Sequence, residues 1–221
     1  MLIFFIYSIL IGFLSNFIIY AYCQDKLAFK NFYCLKALSN KILSFSIVIL
    51  NFITSFLIYK NLGISIYSYL CFIVSSLLIC LSVIDIKTGI VPDTINLLIF
   101  FMAIVAIILT KYNILYHIIG FFLISGPFLF ISVLTNGIGG GDIKLFAVTG
   151  LFLGAIHIFL AMFICCILAS VIGIILKYSN KTTKLYNGNS IPLVPYISIG
   201  VFITILYGEN ILNWYFSTFF I

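Results

Sequence analysis

Apolar runs long enough, or nearly long enough, to cross a lipid bilayer recur along the whole chain, and this restricts it to one kind of architecture. A spanning α-helix needs about 20 predominantly apolar residues, at ~1.5 Å of rise each. Such runs occupy Leu2–Tyr22, Ile42–Tyr59, Ile64–Ile84, Ile95–Thr110, Ile114–Thr135 and Val194–Tyr207. With 64% of the 221 residues hydrophobic and only 7% charged, no stretch remains for a soluble catalytic domain. The expectation is an all-α, polytopic membrane protein: a single membrane-embedded domain over residues 1–221, without internal repeat or low-complexity linker. The 18% aromatic content and the absence of arginine read as compositional bias, with the aromatics facing lipid or packing. The first run has no basic segment before it and no small-residue cleavage site ahead of Cys23, so it reads as a retained helix.

The stretch 143–176 is too long for one span. As a single helix it would measure ~50 Å against an apolar core of ~30 Å. Lysine placement points the same way. Lys26, Lys30, Lys36 and Lys41 cluster in one connection and Lys177, Lys181 and Lys184 in another, and the positive-inside rule puts both on the cytoplasmic face. Both can lie there only if 143–176 crosses twice, with a break near Gly150–Gly154. The expected count is therefore about eight transmembrane helices, with both ends outside and the connections 23–41, 85–94 and 136–142 inside.

That count brings two acids to one face. The chain has five acidic side chains, and Asp85 and Asp142 stand at the ends of apolar runs. Carboxylates in such positions are costly and mark functional sites. Two carboxyl groups sharing a site cannot both ionise freely, so one holds a proton while the other can activate water, as in an aspartic protease. A helix N-terminus at Asp142 favours its ionised form and an apolar helix end at Asp85 favours the protonated form, which assigns Asp142 as base and Asp85 as acid. Gly139, Gly140 and Gly141 would let backbone approach a peptide closely. The plain structural alternative is that Asp142 caps a helix and Asp85 ends one.

Spacing around the two acids weighs against that alternative. Asp85 precedes Ile90-Val91-Pro92-Asp93; Gly139-Gly140-Gly141-Asp142-Ile143-Lys144-Leu145 precedes Gly150 and Gly154; Ile191-Pro192-Leu193-Val194-Pro195 leads to Gly200. Gly12, Asn16 and Tyr20 lie in the first run. This order of patches resembles the type IV prepilin peptidases, membrane aspartyl proteases of the GxGD class. The resemblance implies an endopeptidase of the bacterial cytoplasmic membrane that removes the basic leader from prepilins or pseudopilins at the cytoplasmic face. It implies Asp85 and Asp142 as the catalytic pair, with Gly139, Gly141, Lys144, Pro92 and Pro192 shaping the site or touching substrate. Residues 1–60 would then form N-terminal helices with a shortened cytoplasmic loop, and 61–221 the protease core. Asp93 is expected to be a helix N-cap, Lys144 an interfacial anchor or substrate contact, Lys87 an anchor, and Gly126-Pro127 a kink. Gly150 and Gly154 are expected as a small-xxx-small pair that permits close helix packing or a helix break, and Pro192 and Pro195 at the start of the last helix.

Larger members of the family carry two CxxC pairs after the first helix and also methylate the new N-terminus with S-adenosylmethionine. Here the corresponding loop has only Cys23 and Cys34, too few for a four-thiolate zinc site. The expectation is proteolysis with no required cofactor and no metal, with S-adenosylmethionine needed only if methylation occurs. Cys71, Cys80, Cys165 and Cys166 read as small apolar residues within spans. His117 and His157 fall toward the opposite face from the aspartates. The partners expected are a prepilin or pseudopilin and the bilayer, with no nucleic acid. A proton-coupled transporter using Asp85 and Asp142 is the alternative from another class. It would leave the acids near mid-membrane and the two halves similar as inverted repeats, and no such repeat is visible.

Overall fold

The computed structural model describes residues 2–27, 41–135, 137, 139–178 and 192–219. The regular elements among them are eight helices: α1 (Leu2–Leu27), α2 (Lys41–Leu62), α3 (Ile66–Thr88), α4 (Asp93–Thr110), α5 (Ile114–Thr135), α6 (Gly140–Leu153), α7 (Ala155–Tyr178) and α8 (Val194–Phe219). Six of them, α2 to α5, α7 and α8, are long and apolar enough to cross a membrane. In α1 the apolar stretch is the shorter Ile6–Tyr22. The 14 residues of α6 rise only ~21 Å, less than an apolar core.

The fold is built around α3, which has 61% of its apolar window buried and packs against α1, α2, α4 and α8. By contrast α5 and α7 have 17% buried, and residues such as Phe130, Val133, Phe159 and Phe163 face outward, as lipid-contacting side chains do. The buried helices meet along polar seams as well as apolar ones. Ser15 and Ser76 share a hydrogen bond of 2.9 Å between α1 and α3. The Asn16 amide donates to the carbonyls of Gly12 and Ser44 at 3.1 Å, joining α1 to α2. Ser82 donates to Ser198 at 2.8 Å and so fixes the register of α3 against α8.

The break expected in 143–176 falls at Gly154. Its backbone adopts φ 84°, ψ 171°, a region essentially restricted to glycine, and a Cβ there would run into the Tyr116 ring. The Tyr116 hydroxyl accepts from the Ile156 amide at 3.0 Å, satisfying one of the unpaired donors in the first turn of α7. Gly150 does something different. It stays helical and lies against Gly120 of α5, where a Cβ on Gly120 would stand 2.5 Å from the Gly150 carbonyl oxygen. Of the two glycines expected to permit close helix packing or a break, Gly154 makes the break and Gly150 the helix contact.

The last helix runs on to Phe219 rather than ending at Tyr207. Its polar interruption is accommodated by α7: Gly208 lies beside the His157 ring, and Glu209 meets His157 at 3.4 Å. Pro127 lies inside α5 without ending it.

Candidate active site

The end of α3 is set by Gly89, which takes a left-handed conformation (φ 63°) and donates its amide to the Asp85 carbonyl at 2.7 Å. Asp85 is therefore in the last turn, where its side chain is 6% exposed. The chain then turns through Ile90 and Val91 to Pro92, the N-cap of α4, whose ψ of 125° is extended. Pro92 is buried, and its missing amide costs nothing at a helix start.

A partner for Asp85 comes from the far end of the sequence. The Val194 amide, at the first residue of α8, donates to Asp85 Oδ2 at 3.2 Å. Pro192 and Leu193 precede that amide in non-helical backbone, and Pro195 follows in the first turn, as expected for the start of the last helix. Proline at 195 has no amide to offer, so the free donor at this helix end is that of Val194. The Ser82–Ser198 bond one turn deeper keeps α3 and α8 in the register this contact needs.

Asp142 enters from α6. Its N-cap, Gly139, is extended (φ −66°, ψ 134°) and accepts from the Asp142 amide at 3.1 Å. The glycines ahead of it have separate reasons. A Cβ on Gly139 would stand 3.1 Å from Asp142 Oδ2, and one on Gly141 would stand 2.7 Å from Val91 Cβ. A Cβ on Gly140 would meet nothing within 4 Å. The outer two glycines make room for the carboxyl and for the α3–α4 turn, while the middle position is sterically free.

These contacts bring Asp142 beside Asp85. Asp142 stands at the N-terminal mouth of α6, outside the six long apolar spans, and its carboxyl is pushed up to about 6, first by burial and then by the charge of Asp85. The helix N-terminus favours ionisation, but burial and a like charge outweigh it.

Asp93 is not a helix N-cap. Pro92 holds that position, and Asp93, the first helical residue, has both carboxylate oxygens bonded by the Lys144 ammonium at 2.9 and 3.0 Å. The pair ties the starts of α4 and α6 together across the site. Both side chains are largely exposed, so it contributes at most about 1 kcal/mol and serves mainly to orient. It also accounts for Lys144 without a substrate contact. Lys87 lies in the last turn of α3, one turn's edge from Asp85.

The histidines lie at the other end of α6. The His117 ring bonds the Leu151 carbonyl at 2.8 Å, and His157 meets Glu209 and Tyr116. Of the cysteines, Cys71, Cys80 and Cys165 are buried and free, as small apolar residues, while Cys166 is exposed. The Cys23 side chain and Cys34 lie outside the described residues. Among the described residues no three His, Cys, Asp or Glu side chains are grouped as metal ligands.

Sequence reasoning singled out both acids, which the structure places side by side, and missed the Val194 amide, the Asp93–Lys144 pair and the Gly120 contact. The prolines around Val194 were a signal for the first. Nothing local marks the other two, because each joins residues far apart in the chain.

Residues 70–174 match the type IV leader peptidase family. The chain is similar to the prepilin leader peptidase/N-methyltransferase of Bacillus subtilis, 31% identical over 69% of this chain and 61% of that protein. It is also similar to the proteins of the same name from Legionella pneumophila, 36% identical over 35% of this chain and 26% of the relative, and Aeromonas salmonicida, 33% identical over 38% and 28%. The chain thus spans less than two thirds of the length of each of these relatives. No solved structure matches it.

Proposed function

We propose that the chain, whose residues 70–174 match the type IV leader peptidase family, is an aspartyl endopeptidase removing the basic leader of prepilins or pseudopilins at the cytoplasmic membrane face. The observation that carries this reading is the pair of carboxyls from two helices, Asp85 buried and Asp142 half-buried, with Asp142 pushed up first by its partial burial and then by the charge of Asp85.

The chemistry follows from one shared proton. Asp142, raised by burial and its neighbour, and Asp85, fixed by the Val194 amide, share that proton at rest, and the ionised member accepts a proton from water. The water oxygen then attacks the scissile carbonyl while the protonated member protonates the carbonyl oxygen. Collapse of the tetrahedral intermediate passes a proton to the leaving amine and regenerates the pair. Such a pair titrates as a unit, and its members exchange roles within a cycle. Gly139 and Gly141 shape the site by the room they leave, and Pro92 and Pro192 by starting α4 and the approach to α8.

The relatives' names include N-methyltransferase. For this chain S-adenosylmethionine would be needed only for such methylation and not for cleavage.

The test is co-expression with a candidate prepilin, followed by gel shift and N-terminal sequencing. Wild type should remove the leader; Asp85→Asn and Asp142→Asn should each abolish removal while the protein stays in the membrane. Asp93→Asn, which loses only a surface ion pair, should be much milder. Near-normal processing by either dyad variant would exclude the mechanism.

A further inference from the structure

One polar side chain near the site has no structural explanation. Asn96 is 4% exposed, and neither Nδ2 nor Oδ1 has a hydrogen-bond partner among the described residues. Burying an unbonded amide is unfavourable, and a leucine at this point in an apolar helix would avoid the cost. The amide is on the inward side of α4, flanked by buried Pro92, Ile95 and Ile99, while Leu97 and Leu98 are exposed.

Its level in the fold coincides with that of the dyad. Helices α3 and α4 are packed neighbours joined by the short turn 89–92. Asp85 comes three residues before the last residue of α3, and Asn96 three residues after the first of α4. At ~1.5 Å per residue both lie ~4.5 Å inside their helix ends. Asp142, two residues into α6, is ~3 Å inside its own. Moreover α4 packs on α6, with Val91 against Gly141 and Asp93 bonded to Lys144. The unbonded amide therefore stands at the depth of the two carboxyls, on the helix that packs against both of theirs.

We propose that Asn96 is a substrate-binding residue that holds the peptide backbone beside the scissile bond. A primary amide offers two N–H donors and a carbonyl acceptor, the complement of a peptide unit. Nδ2 donates to a substrate carbonyl and Oδ1 accepts a substrate N–H, so the extended segment is held without regard to its side chains. The proposal rests on the peptidase reading.

Purified full-length protein in detergent or proteoliposomes, with a cleavable prepilin, tests it through KM, kcat and thermal melting. Asn96→Leu should lower kcat/KM about tenfold or more, the loss expected for removing backbone hydrogen bonds to substrate. Its melting temperature should hold or rise, because an unbonded buried amide is gone. Asn96→Thr, which keeps one donor and acceptor, should recover part of the activity, and it decides the matter if the leucine variant does not accumulate. Asn51 in mid-α2 is the control, being fully buried with its own Oδ1 unbonded among the described residues; Asn51→Leu should leave kcat/KM unchanged. Wild-type kcat/KM in Asn96→Leu would overturn the proposal, and so would equal losses in the Asn96 and Asn51 variants that follow their melting temperatures. Failure of wild type to cut any prepilin would instead overturn the peptidase reading itself.

Discussion

At the scale of single residues, Asp142 makes its protonation state a measurable part of stability. Its folded pKa of about 6 lies above the ordinary 3.8, because burial and the Asp85 charge disfavour the ionised form. A group raised in this way adds stability that is fully present below the unfolded value and is lost as pH rises through the folded one. The window here is about pH 4 to 6. Thermal melts across that range should show wild type losing stability relative to Asp142→Asn as pH rises, with a constant difference above it. A difference that does not vary with pH would mean that the carboxyl is not held in an unfavourable charged state. Asp93 and Lys144 contrast with it: paired and exposed, they orient two helix ends.

At the scale of elements, the position of Asp142 depends on how closely α6 lies to its neighbours. Gly120 and Gly150 let the backbones of α5 and α6 touch, and Gly141 lets the start of α6 touch the α3–α4 turn. A side chain at the α5–α6 contact would meet backbone oxygen, which cannot move aside as a side chain can. Gly120→Ala should therefore destabilise the protein by about 1–3 kcal/mol, the usual cost of overpacking. It should also reduce leader removal, since α6 carries Asp142 on its first turn. Gly126→Ala in the same helix, where a Cβ would meet nothing within 4 Å, should do neither. Melting temperature and processing in the two variants, compared side by side, check the contact.

At the scale of the whole molecule, the chain has a dyad end and a distal end. Asp85, Val91, Asp142 and Val194 gather at the first. At the second, Tyr67 stacks on Phe152 and lies edge-on to Tyr112, and Tyr112 stacks on His117. If the dyad end is cytoplasmic, single cysteines at position 88 and at positions 30 and 184, the latter two outside the described residues, should resist impermeant thiol reagents in intact cells. Cysteines at 61 or 112 should react. Labelling at 184 from outside would invert the tail and remove the double crossing of 143–176. The same scale governs the second activity in the relatives' names. With only Cys23 and Cys34 in a short loop, this chain is expected to cut a prepilin without zinc and to methylate the product weakly or not at all. Mass spectrometry of the mature N-terminus decides it: stoichiometric gain of one methyl group, dependent on this protein and S-adenosylmethionine, would show the thiols to be dispensable.

What the sequence determined by itself was whatever depends on local pattern. Run length and hydropathy dictated helices, the excess length of 143–176 required a break, and glycine at 154 could supply a conformation other residues avoid. Two acids at the ends of apolar runs were visible for the same reason, since charge in such segments is rare enough to stand out. Tertiary structure decided what depends on residues distant in the chain. The Val194 amide reaches Asp85 across 109 positions and Lys144 reaches Asp93 across 51, so no local spacing encodes either contact. The upward shift of the Asp142 carboxyl was of this kind too. The helix dipole at its own N-terminus argued for a charged carboxylate, and the burial and neighbouring charge that prevail over it exist only once α3 and α6 have been brought together.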